Sequence, residues 1–284
     1  MHSTEWSLVF FTTFSQLAAG IMVAVLLFVY AKKHKLHPRL NQTALYIAAG
    51  LMFIALILSF LHLNNPMHSI YAMSNIGSSW LSREILFVSL FLFSLVVVSL
   101  LPYVKPLKPK HYRTMTLGTA LIGCMMVYAM SMLYIIPTVP AWNSISTLIA
   151  FFATALLLGS VFVLGLSLNF GQQVPQEQLW NKKNKVLFSC ALIAIGIILI
   201  NFFVLRPSVP EGNIGFPPKP ISSLVHLLRW GTLILGVSSL FYVFFKQERL
   251  KQYSYLYYLP FVFLLISELT ARAAFYAAYY RIGV

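Results

Sequence analysis

Long apolar runs separated by short polar stretches set the plan of this chain. The runs fall at Leu8–Ala31, Thr43–Leu63, Arg83–Tyr103, Thr116–Ile136, Ser144–Phe170, Val186–Leu205, Val225–Phe245 and Tyr255–Tyr280. Each is long enough to cross a hydrocarbon core, which takes about 17–25 apolar residues. Lipid offers no partner for an unpaired backbone group, so each run is expected to be helical. The pattern predicts an all-α integral membrane bundle of eight transmembrane helices, one transmembrane domain over residues 1–284. The first run follows Met1–Trp6 without a basic leader or a small-residue cleavage site, so it is expected to stay as the first helix.

The polar stretches give the bundle a direction. The loop after helix 1 carries Lys32, Lys33, Lys35 and Arg39, and the loop after helix 3 carries Lys105, Lys108, Lys110 and Arg113. Lys182, Lys183 and Lys185 follow helix 5, and Lys246, Arg249 and Lys251 follow helix 7. The opposite side carries only Arg206, Lys219, Arg281 and the helix-flanking Arg83 and Arg229. Basic loops stay on the cytoplasmic side, so the odd-numbered loops are expected inside and both termini outside, periplasmic in a bacterial inner membrane. An even number of spans requires the termini to share a side, which agrees. Two outward loops have character of their own. Asn64–Ser82 is long and polar, and Arg206–Leu224 holds five prolines and two glycines.

Composition narrows the function classes. Apolar residues make up 59% and charged residues 9% of the chain, against about 25% charged in an ordinary soluble domain. The net charge of +14 sits in the loops, which argues for a membrane rather than for nucleic acid. Cys124 and Cys190 lie alone in separate apolar runs. That spacing excludes a CxxC metal site, an iron–sulfur ligand set and a disulfide framework. An intrinsic haem needs histidines at matching depth on facing helices. Only His62 and His226 are candidates, because His34, His37 and His111 sit in basic loops. No haem, cluster or metal is therefore expected in this chain.

Ionisable residues within spans are costly and mark candidate sites. Glu84 opens helix 3 in Ser82-Arg83-Glu84. One reading is structural: Ser82 caps the helix and Glu84 meets the positive end of its dipole. The other is a proton acceptor at the membrane edge, a position partly removed from water that suits proton exchange near neutral pH. His62 stands at similar depth at the end of helix 2, and His68 is a more exposed second choice. On helix 8, Glu268 and Arg272 share a face at i,i+4 spacing, with Glu first, the favoured order for an ion pair. That pair either supports the bundle, or Arg272 holds a polar ligand head group while Glu268 fixes the arginine. Phe275 and Tyr276 follow within a turn and either flank a flat ring or belong to an interfacial aromatic belt.

Several blocks resemble one family. Glu5-Trp6-Ser7-Leu8 with Phe14-Ser15-Gln16-Leu17-Ala18-Ala19-Gly20 is similar to the membrane-anchor subunit of anaerobic dimethyl sulfoxide reductases. So are Leu61-His62-Leu63-Asn64-Asn65-Pro66-Met67, Asn75-Ile76-Gly77 and Leu81-Ser82-Arg83-Glu84-Ile85. Pro137 to Ser144 and Ser267 to Tyr276 complete the set in the same order. The sequence departs from the usual pattern at Asn65, Arg83 and Ser267.

The resemblance implies a three-subunit enzyme. A molybdopterin catalytic subunit and an iron–sulfur electron-transfer subunit sit on the outer face, and the anchor oxidises menaquinol. His62 and Glu84 match positions implicated in quinol oxidation, and Arg83, Arg272 and Tyr276 are the further candidates for contact with menaquinol. The dimethyl sulfoxide, S-oxide or N-oxide that is finally reduced is the business of another subunit. A small-molecule transporter is the alternative, and it would need a polar path through the bilayer midplane.

Overall fold

A computed structural model describes residues 3–30, 38–61, 75–104, 108–171, 177–205 and 222–279. Among them are eight helices long and apolar enough to cross a membrane. They are α1 (Ser3–Tyr30), α2 (Pro38–Leu61), α3 (Trp80–Val104), α4 (Pro109–Leu133), α5 (Ile145–Gly171), α6 (Glu177–Ile200), α7 (Ser223–Phe245) and α8 (Leu259–Ala277). A π-helical turn, Asn201–Leu205, extends α6, and a 3₁₀ segment, Gln247–Tyr258, leads into α8.

The helix starts differ from the hydropathy boundaries for a physical reason. Apolar runs mark the part that lies in hydrocarbon, whereas helices continue into their polar flanks. α2 begins at Pro38 rather than Thr43, α4 at Pro109 rather than Thr116, and α6 at Glu177 rather than Val186. Proline suits a first helical turn, because its fixed φ is already helical and its missing N–H would have had no partner there. The eighth span is corrected in the other direction. Tyr253 has φ −120° and ψ 59°, so the chain kinks there. The regular helix starts only at Leu259, with Pro260 in its first turn.

α1 and α5 form the centre. In the apolar windows of these two helices 78% and 72% of residues are buried, against 22% in α7. α1 packs against α2, α4, α5 and α8, and α5 also touches α6 and α8. Small side chains permit this. A Cβ placed on Gly20 would lie 1.9 Å from the Ala155 carbonyl oxygen, and one on Gly159 would lie 2.1 Å from the Gly20 carbonyl carbon. The two backbones therefore touch, as small residues allow between membrane helices that have no hydrophobic drive to associate. The outer surface is strongly apolar, with Phe93, Phe203, Leu227 and Tyr255 all exposed, as a lipid-facing surface requires.

Most hydroxyls within the helices close on their own backbone. Ser99 donates to Leu95 O at 2.6 Å and Thr116 to Tyr112 O at 2.8 Å, which spares them a cost in an apolar setting. The π turn puts Asn201 where its Nδ2 donates to Ser146 O at 3.2 Å, tying the end of α6 to the start of α5.

Candidate functional site

Three buried side chains on α8 stand one turn apart on one face: Glu268, Arg272 and Tyr276. Each is answered by a different neighbour. Thr154 on α5 donates to Glu268 Oε2 at 2.6 Å. Arg272 Nη2 donates to Gln16 Oε1 on α1 at 2.9 Å. Tyr276 lies 2.9 Å from the Tyr134 hydroxyl and 3.4 Å from Thr12 Oγ1 on α1. These rungs show that α1 starts where α8 ends, at one end of the bundle.

The expected i,i+4 ion pair does not form. Glu268 and Arg272 share the face as the spacing predicts, but each reaches across to another helix. The arginine also lies over the Phe151 ring at 3.8 Å, where the ring's quadrupole favours a cation.

Above the arginine is an aromatic box. Tyr134, at the end of α4, has its ring centroid 5.4 Å from Trp142, 5.7 Å from Phe151 and 5.5 Å from both Phe275 and Tyr276. Trp142 stacks on Phe275 at 5.3 Å, and its indole N–H donates to Phe275 O at 2.8 Å. The short link between α4 and α5 is thus folded into the core: Val139 and Trp142 are buried, and Thr147 Oγ1 holds the Trp142 carbonyl at 2.7 Å.

Glu84 belongs to the same end of the bundle. It is 5% exposed, and its Oε1 has no hydrogen-bond partner among the described residues. The capping assignment moves upstream. Ser79, not Ser82, accepts the backbone N–H of Ser82, at 3.4 Å, and the helix runs from Trp80. Glu84 therefore lies in the second turn and faces the interior, away from the dipole position. Removing Ser82 from the cap leaves its buried side chain facing the interior as well.

Arg83 points elsewhere. Its Nε donates to Ile76 O at 2.9 Å, its Nη2 to Gly77 O at 2.6 Å, and it covers the Trp80 ring at 4.3 Å. It braces the turn before α3. His62 and His68 lie outside the described residues. His226 is half-buried on α7 and His111 is exposed on α4. Cys124 and Cys190 are free, one on α4 and one on α6.

The helices expected to share the site meet indirectly. α2 packs beside α3, while α8 lies across α1, α5 and α7; Tyr134, at the end of α4, pairs with Tyr276. Sequence reasoning misses Thr12, Gln16 and Tyr134. The available signal is the polar run Thr12-Thr13-Phe14-Ser15-Gln16 inside an otherwise apolar span.

The arrangement gathers a packed aromatic cluster, an unpartnered carboxyl oxygen, two phenols and a buried cation at one end of the bundle. That is suited to an oxygenated ring that exchanges protons.

Comparison with known proteins bears on the whole sequence. Residues 1–278 match the family described as DMSO reductase anchor subunit (DmsC). The C subunit of the anaerobic dimethyl sulfoxide reductase of Escherichia coli is 27% identical over 99% of this protein and 96% of its own length. The subunit of the same description in Haemophilus influenzae is 26% identical over 69% of this protein and 67% of its own length. The anaerobic dimethyl sulfoxide reductase subunit YnfH of Escherichia coli is 28% identical over 57% of each. With eight membrane-length helices among the described residues and a family match over residues 1–278, the protein belongs to the membrane-anchor subunits of the DMSO reductase family.

Proposed function

We propose that this anchor oxidises menaquinol near the outer leaflet of the bacterial inner membrane and passes its electrons to an iron–sulfur subunit. That subunit feeds a molybdopterin subunit, which reduces dimethyl sulfoxide or a related S- or N-oxide. The observation that carries the reading is Glu84: a carboxyl group 5% exposed, with one oxygen unpartnered among the described residues, at the same end of the bundle as the aromatic box. A buried acceptor without a partner is costly, about 1–3 kcal/mol, and persists for a reason other than stability.

In this reading the flat head group enters from lipid and lies against the rings of Trp142, Phe275 and Tyr134. Glu84 takes a proton as the quinol gives up two electrons and two protons to become the quinone. His62 takes the other. Tyr276 and Tyr134 form a hydrogen-bonded pair that orients the ring oxygens, and Arg272 holds the deeper edge. Arg83 keeps the turn over the entrance to α3 in shape. Basic loops inside set both termini, and hence this end of the bundle, on the periplasmic side. The partner subunits then dock over that face, and the protons leave to the same side.

The test uses the intact three-subunit complex. Glu84→Gln should lower quinol-dependent reduction of the terminal acceptor by about 100-fold or more. Reduction driven by a soluble viologen dye, which bypasses the anchor, should be unchanged. Wild-type quinol turnover in this variant would overturn the assignment.

A further inference from the structure

The amide of Gln16 has a fixed orientation, and a reason for it can be stated. Arginine has only donors. The atom of Gln16 that faces Arg272 Nη2 at 2.9 Å must therefore be the oxygen, since the flipped amide would set donor against donor. This leaves Nε2, with two protons to donate, on the other branch of the amide. Gln16 is fully buried, and Nε2 has no acceptor among the described residues. The neighbouring Thr13 Oγ1 and Ser15 Oγ are buried and unpartnered among the described residues as well.

We infer that Gln16 Nε2 donates to one ring oxygen of the bound quinol or quinone, with Arg272 acting as the positioning residue that holds the amide in its donating orientation. This rests on the proposed quinol site and extends it to α1. The contact suits both redox states, because a ring hydroxyl oxygen and a ring carbonyl oxygen each accept a hydrogen bond. Glu84 exchanges protons, whereas Gln16 has none to exchange. The two groups therefore divide the work, one moving a proton and the other holding an oxygen.

Infrared difference spectra test this on the purified complex loaded with a naphthoquinone labelled with ¹³C at one carbonyl at a time. In the wild-type complex one carbonyl band should be lowered by donation. In Gln16→Met that band should return toward its free position while the other carbonyl is unchanged. The KM for a menaquinol analogue should rise about five- to tenfold, with dye-driven reduction intact. A second measurement needs no variant: solid-state NMR of the wild-type complex should show coupling between a quinone carbonyl carbon and a glutamine side-chain ¹⁵N. If quinone binds but neither carbonyl band moves in Gln16→Met, or if no such coupling is seen, the role of Gln16 is overturned and the quinol reading stands. If the wild-type complex binds no quinone, both fall.

Discussion

Replacing Gly20 by alanine puts a methyl carbon 1.9 Å from the Ala155 carbonyl oxygen, 2.8 Å from its carbonyl carbon and 3.1 Å from Gly159 Cα. All three are backbone atoms, so no rotamer change relieves the clash. A carbon and a carbonyl oxygen settle at about 3.3 Å or more, so α1 and α5 must part by more than about 1 Å. That gap opens between the two most buried helices of the bundle and costs contacts on both sides of the crossing. The expected loss lies at or beyond the upper end for overpacking, about 3 kcal/mol, or about 6 °C and more in the midpoint of thermal unfolding. The assay is a temperature ramp on the complex in lipid nanodiscs, reading the fraction of anchor that stays folded. Gly118→Ala is the control. Its new Cβ meets nothing within 4 Å, and alanine is the better helix former by about 1 kcal/mol. The separation would also carry Gln16 away from Arg272 and Phe151, so quinol-dependent turnover should fall with stability. A Gly20→Ala complex as stable as the Gly118→Ala complex would refute the close-contact argument.

Three more substitutions probe other parts of the bundle. Thr154→Val removes the donor 2.6 Å from Glu268 Oε2 and strands a buried carboxyl group; unfolding should be easier by about 1–3 kcal/mol, whereas Glu268→Gln, which keeps an oxygen facing Thr154, should cost less. Equal costs would mean that the Thr154 bond is not what holds Glu268. Arg83→Ala removes the two donations to Ile76 O and Gly77 O. The amides of Ser78 and Ser79, both bonded to Asn75 O, should then exchange with deuterium faster; unchanged exchange would show that the turn stands without the arginine.

Much of this bundle is legible in hydropathy, because membrane spans are selected by length and apolarity, and both are local. Pairing is not local. The i,i+4 spacing places Glu268 and Arg272 on one face, yet α5 and α1 offer each a partner that the other cannot match. Gln16 escapes a sequence reading because an amide carries no charge to flag it within an apolar run. Tyr134 looks like any interfacial tyrosine until the fold brings Trp142, Phe275 and Tyr276 around it. Ser79 is missed as the cap because the apolar run begins after it, while the helix itself starts earlier. Glu84 is legible because a carboxylate within a span is rare and expensive.

The stripe on α8 has a consequence for how the protein is made. Synthesis is vectorial, so α8 leaves the ribosome after α1, α4 and α5. The groups that receive its glutamate, arginine and tyrosine reside on α1, α4 and α5, all of which are already in the membrane by then. The ionisable stripe of α8 thus never has to wait in lipid for its partners. The helix can enter directly against a prepared surface, and its arrival completes the three-rung ladder that closes the bundle.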